Sequence, residues 1–250
     1  MSEIFPIPTP ARLPEKITPC PVVEAVLEIR FVTSESWRTL PGLLYSHIRD
    51  RYREQRDLPL AQFPEDFVRR DPSLTYLPLV QFFSADFLIQ FGPRMIAVST
   101  KPKEYPGWTA IRAEMAWLLE RVKESGFVSE GERLSVRYID FFEEDVFSKL
   151  LLGAHVGERA LEPRELSIST VLRRDPLTAR LMVSNSAILG GSEQARSGSI
   201  LDLDVWLGSL DFDLFENGIE KFGEAHQMVK QVFFGLLRPE FLATLNPIYA

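Results

Sequence analysis

Four charged residues set inside apolar stretches are the chain's clearest candidates for chemistry. Glu28 and Arg30 interrupt the run Glu24-Ala-Val-Leu-Glu-Ile-Arg-Phe-Val32. Arg137 and Asp140 interrupt the run Glu132-Arg-Leu-Ser-Val-Arg-Tyr-Ile-Asp-Phe-Phe142. A charge on a half-buried element needs an opposite charge or a polar ligand beside it, because an isolated buried ion is neutralised or expelled. These residues therefore form either a polar binding spot in an apolar-lined groove or an ion-pair network between strands. Placing the two runs 110 residues apart (136 − 26 = 142 − 32) makes Arg30 the counterpart of Asp140. The expectation is that Arg30 and Asp140 lie side by side within one sheet, near a pseudo-twofold axis, and neutralise each other.

Carboxylates gather in two further places: Asp140, Glu143, Glu144 and Asp145, then Asp202, Asp204, Asp211 and Asp213. Asp202 and Asp204 are two apart on a predicted strand and so share a face. Converging with Asp140, they could hold Mg²⁺ for a metal-dependent hydrolase or nuclease. The opposing interpretation is simpler. Glu143 to Asp145 and Asp211 to Asp213 immediately precede predicted helices, where acidic side chains complement the helix dipole. The histidines His47, His155 and His226 have no ligand spacing, and His226 falls on an apolar helical stripe, where a hydrogen-bonded buried imidazole is expected. No nucleophile elbow, phosphate loop or dinucleotide fingerprint occurs; Gly190-Gly191 lacks the lysine and the strand–helix setting. No catalytic residue, cofactor or metal is assigned.

The elements that must position these residues follow from periodicity. Residues 1–21 hold six prolines and form an extended arm, laid along the protein's own surface by Ile4, Phe5, Ile7 and Leu13. A strand over 22–32 leads to a helix ending near 53, with Pro41 in its first turn. Residues 56–75 read as an irregular connection with a short helix at 65–69. Strands follow at 76–82, 86–91 and 95–100, the last two joined at Gly92-Pro93. An amphipathic helix over 108–125 ends at Gly126. The second round begins with the strand around Arg137, then a helix at 143–152, strands at 165–173, 177–186 and 199–207, and a helix over 213–237 stopped by Pro239. A Gly/Ser-rich connection over 187–198 carries Glu193 and Arg196.

Both halves thus run strand, helix, three strands, helix, and the 110-residue offset recurs between Leu119 and Val229 and between Trp37 and Phe147. The predicted fold is α+β: two pseudo-repeated halves, 22–126 and 127–250, forming antiparallel sheet with helices packed on one face and making one compact unit behind the 1–21 arm.

The run Pro21-Val-Val-Glu-Ala-Val-Leu-Glu-Ile-Arg-Phe31 resembles the opening motif of a sporadically distributed family of uncharacterised bacterial proteins of about this length. Arg137-Tyr-Ile-Asp140 is similar to that family's central motif, and His226 to a histidine near the start of its last helix. The resemblance implies no activity, cofactor or catalytic residue.

Composition sets the remaining bounds. The chain has 250 residues, 28 basic and 35 acidic, for a net charge of −7, which opposes binding to nucleic acid or an anionic membrane. Cys20 is the one cysteine, so neither an internal disulfide nor a Cys–His metal cluster forms. No secretory signal or membrane-length apolar run is visible, and a cytoplasmic location is expected. With 18 Phe, 4 Trp and 6 Tyr and no catalytic motif, the expected function is a non-enzymatic binding module for a protein partner, a second copy of the chain, or a small ligand. The alternative is the metal-dependent hydrolase or nuclease built on Asp140, Asp202 and Asp204.

Overall fold

A computed structural model describes residues 5–101, 105–190, 195–208 and 210–249. The first strand, β1 (Val22–Val32), buries Ala25, Leu27, Ile29 and Phe31, while the intervening residues are half-exposed. That alternation is the two-residue period of a strand with one buried face. Helix α1 (Leu40–Ile48) carries Pro41 in its first turn and buries Leu40, Leu44 and Ile48, each one turn after the last. It stops short of the expected end at 53, because the chain turns to enter β2 (Glu54–Asp57), a fully exposed strand. The connection that follows holds α2 (Glu65–Arg70) between two 3-10 turns, Pro59–Gln62 and Pro72–Leu74.

Strands β3 (Val80–Phe83), β4 (Phe87–Phe91) and β5 (Met95–Thr100) come next. The turn between β4 and β5 needs Gly92: a Cβ there would sit 2.3 Å from the Leu77 carbonyl oxygen. Helix α3 (Trp108–Ser125) buries Ile111, Met115, Leu118, Leu119 and Val122 and ends on Gly126, whose φ of 69° is the left-handed C-cap conformation. Strand β6 (Glu130–Phe142) follows.

The helix expected at 143–152 does not form. A single 3-10 turn, Phe147–Lys149, stands there, and the Asp145 carboxylate accepts from the Phe147 N–H (2.9 Å) and from Asn185 (2.5 Å). Leu150 then bridges to Leu237, which draws the backbone out of helical pairing. A small hairpin of β7 (His155–Val156) and β8 (Arg159–Ala160) precedes β9 (Ser167–Arg174), β10 (Leu177–Leu189) and β11 (Arg196–Leu207). Of the 187–198 connection, residues 191–194, Glu193 among them, lie outside the described residues. Helix α4 (Leu214–Leu236) starts on Asp213, whose carboxylate accepts from the Phe215 and Glu216 N–H groups, as an N-cap does. Pro239 ends α4 and opens α5 (Pro239–Thr244), at the first helical position, where its missing donor costs nothing.

The class is α+β. Among the described residues, nine strands are hydrogen-bonded in the order β2-β3-β4-β5-β1-β6-β11-β10-β9. The Ser129 N–H bonds the Val32 carbonyl and the Phe141 N–H bonds the Pro21 carbonyl; 129 + 32 and 141 + 21 differ by one, so β1 and β6 run antiparallel.

The chain divides into two compact units. One comprises Ala25–Val136 and Trp206–Glu224. Its core holds Phe31, Phe91 and Phe127, with ring centroids 5.4 to 6.3 Å apart, and Tyr52 stacked on Trp117. The other comprises Met1–Glu24, Arg137–Val205 and Ala225–Ala250. There Leu181, Val183, Leu201 and Leu203 of the strands are buried, as are Met228 and Val232 of α4. The proline-rich arm closes this unit: Lys16 bridges to Ile248, the Thr18 N–H bonds the Leu245 carbonyl, and Pro8 lies against Gly235. No helix among the described residues is long and apolar enough to cross a membrane.

Candidate functional site

The four candidate residues fall in two places, one in each unit. In the Arg137–Val205 unit the site is built on β6 and β11. Alternation along β6 sends Arg137 to one face and Tyr138 and Asp140 to the other. The Arg137 guanidinium meets Asp202 of β11 as a fork: Nε donates to Oδ1 at 2.7 Å and Nη2 to Oδ2 at 2.6 Å. Two parallel charge-assisted bonds are the strongest geometry this pair offers. The Asp202 side chain is only 7% exposed, whereas that of Arg137 keeps 39% of its surface. Asp204, two residues on, shares the face, and Arg180 of β10 stands 4.0 Å from it. Burial pushes the Glu24 carboxyl up from its ordinary value; the Arg137 charge opposes that shift and Asp202 adds to it.

Asp140 is a different kind of group. It is 3% exposed, and burial, with a smaller contribution from the Asp202 charge, pushes its carboxyl up to about 8. It is therefore protonated at neutral pH. On the same face of β6, the Tyr138 hydroxyl lies 3.3 Å from His226 Nδ1. Burial, and then the charge of Lys230, lower His226 to about 3, which leaves it a neutral imidazole. A neutral histidine against a phenol in a core is a satisfied polar contact, as its place on an apolar stripe suggests.

In the Ala25–Val136 unit, Arg30 Nε donates to Glu28 at 2.8 Å, and the guanidinium lies over the Tyr76 ring, 4.3 Å from its centroid. The Tyr76 hydroxyl donates to Glu132 at 3.2 Å, and Arg94 pairs with the same carboxylate. Each arginine here has a carboxylate and shares one aromatic face, an arrangement that orders planar guanidinium groups.

Arg30 and Asp140 do not pair, contrary to expectation. The register set by the Ser129 and Phe141 bonds puts Arg30 opposite 131–132, while Asp140 stands opposite 21–22. Equivalent positions on antiparallel strands approach each other only at the centre of the pair, near Val26 and Val136, and diverge to either side. Tyr76, Arg94, Glu132 and Arg180 were not singled out in the sequence. Only the alternation of charge with apolar residues at Glu132 and Arg180 marked them, and contacts this distant in sequence leave no local trace.

Among the described residues, no group of three or more His, Cys, Asp and Glu side chains is placed to hold a metal ion. No protein-family model matches the chain, and no curated protein matches it.

Proposed function

We propose that the chain is a non-enzymatic, cytoplasmic binding module whose Arg137 face recognises a protein partner. The observation that carries this is the fork between Arg137 and Asp202. Both oxygens of Asp202, one of the carboxylates a metal-dependent mechanism would use, accept from the guanidinium. Asp140, another of the three carboxylates such a mechanism would recruit, is protonated at neutral pH and projects from the opposite face of β6 to Arg137. The fork holds the Arg137 side chain in one orientation with 39% of its surface outward. A pre-oriented, part-exposed arginine is a common anchor at protein interfaces, since little side-chain entropy is lost when a partner docks. A small ligand is the second occupant such a face accepts. The net charge of −7 argues against nucleic acid.

The architecture behind this face is a duplication, in our reading, with helices on one side of the sheet. What supports it is the strand order: outward from β1 come β5, β4 and β3, and outward from β6 come β11, β10 and β9. In each half the first strand is central and the last strand is its neighbour. The family resemblance of the 21–31 run belongs to the same proposal.

Thermal denaturation in Mg²⁺, Mn²⁺ or Zn²⁺ tests the choice between binding module and hydrolase. A ligand at 100 times its dissociation constant adds about 2.7 kcal/mol. The expected result is an unchanged Tm in all three. A metal-dependent rise that Asp202→Asn abolishes would overturn the proposal in favour of the hydrolase or nuclease.

A further inference from the structure

We propose that two copies of this chain associate through β9, paired antiparallel to itself across a twofold axis. This goes beyond the Arg137 face and stands whether or not that face binds a partner. The two ends of the strand order differ in kind. β2 is four residues long, and three of its residues, Glu54, Arg56 and Asp57, are charged, which is how natural sheets protect an edge. β9 is eight residues long, and its first six, Ser-Ile-Ser-Thr-Val-Leu, are uncharged and mostly β-branched or small. Edges of that length and composition are templates for a further strand.

The ladder shows which backbone groups are offered. Asn185 N–H bonds the Leu166 carbonyl, and Arg174 stands opposite Leu177; both pairs sum to 351. In an antiparallel ladder, hydrogen-bonded pairs recur every second residue, so the even residues of β9 bond β10. The N–H and C=O groups of Ser167, Ser169, Val171 and Arg173 point to the edge. Val171 is 45% exposed there.

Charge selects a second copy as the occupant. Arg173 is exposed at the end of β9, and Glu165 is exposed just before its start. Neither has an ion pair among the described residues. Antiparallel self-pairing centred on Ser169 sets Arg173 of each copy beside Glu165 of the other (173 + 165 = 169 + 169). The twofold axis makes that contact twice, as an isologous interface requires. A parallel arrangement would instead align like charges.

Light scattering on the full chain, with equilibrium sedimentation of variants, tests this. The wild type is expected at twice 28.6 kDa, or 57.2 kDa. Ser169→Pro removes an outward donor and leaves the β9–β10 ladder intact; it should give a monomer with unchanged circular dichroism. Arg173→Glu and Glu165→Arg should each weaken the dimer about tenfold, and the double exchange should restore it. The two charge variants keep the test decisive if the proline variant misfolds. A monomeric wild type overturns the proposal, and so does a dimer indifferent to the exchanges.

Discussion

Arg137 and Asp202 are 65 residues apart in sequence and joined by two hydrogen bonds, of 2.7 and 2.6 Å, between adjacent strands. Removing the guanidinium leaves a carboxylate that is 7% exposed without its partner. Arg137→Ala should therefore destabilise by about 3 kcal/mol, since an uncompensated charge is far costlier than a lost surface pair. Arg137→Met combined with Asp202→Leu should cost less than the sum of the single changes. Urea denaturation of the four proteins measures the coupling, and additive losses would show that the fork is incidental.

Asp140 makes stability depend on pH in a defined direction. Its folded value of about 8 lies above the ordinary 3.8. Between those values the folded state holds a proton that the unfolded state has released. The stabilisation is complete below about pH 4 and is lost as pH rises towards 8, by up to about 1.4 kcal/mol per unit. Asp140→Asn removes the linkage. The variant and wild type should melt together near pH 4, with the variant ahead at pH 7 to 8. Parallel curves across the range would mean that Asp140 ionises freely.

Two glycines of α4 should respond oppositely to alanine. A Cβ at Gly223 meets nothing within 4 Å, so Gly223→Ala should stabilise by about 0.5–1 kcal/mol through helix propensity. At Gly235 a Cβ would lie 2.2 Å from the Pro8 carbonyl oxygen and 2.8 Å from Ile7. Gly235→Ala should displace the proline-rich arm and destabilise by about 1–3 kcal/mol. Limited proteolysis within residues 5–17 reports the displacement; equal resistance in both variants would count against the arm's seat on α4.

Periodicity and punctuation carried most of the elements. Helix α3 was legible from end to end because its apolar stripe and Gly126 cap agree, and β5 because Gly92-Pro93 marks its turn. The 143–152 segment misled: Val146, Phe147, Leu150 and Leu151 have helical spacing behind an acidic start. Asp145 instead caps a single turn and Leu150 is drawn to Leu237, a contact only the tertiary structure creates. The 110-residue offset matched β1 to β6, but equivalence is not adjacency. Antiparallel pairing carries Arg30 towards Glu132 and Asp140 towards Pro21. The partner of Arg137 was hidden for a related reason. Asp202 was visible as a strand carboxylate, yet only the neighbouring of β6 and β11 brings it to Arg137.

The most direct test of the binding role is an affinity measured against a defined partner. A tagged chain should recover a protein from its own organism, and that protein, purified, should bind the wild type in calorimetry. Arg137→Glu, checked to be folded by its melting curve, should weaken this binding at least about tenfold, as loss of an interface anchor does. Binding unchanged by Arg137→Glu would contradict the account, as would a chain that takes no partner but hydrolyses a phosphoester only when Asp202 is intact.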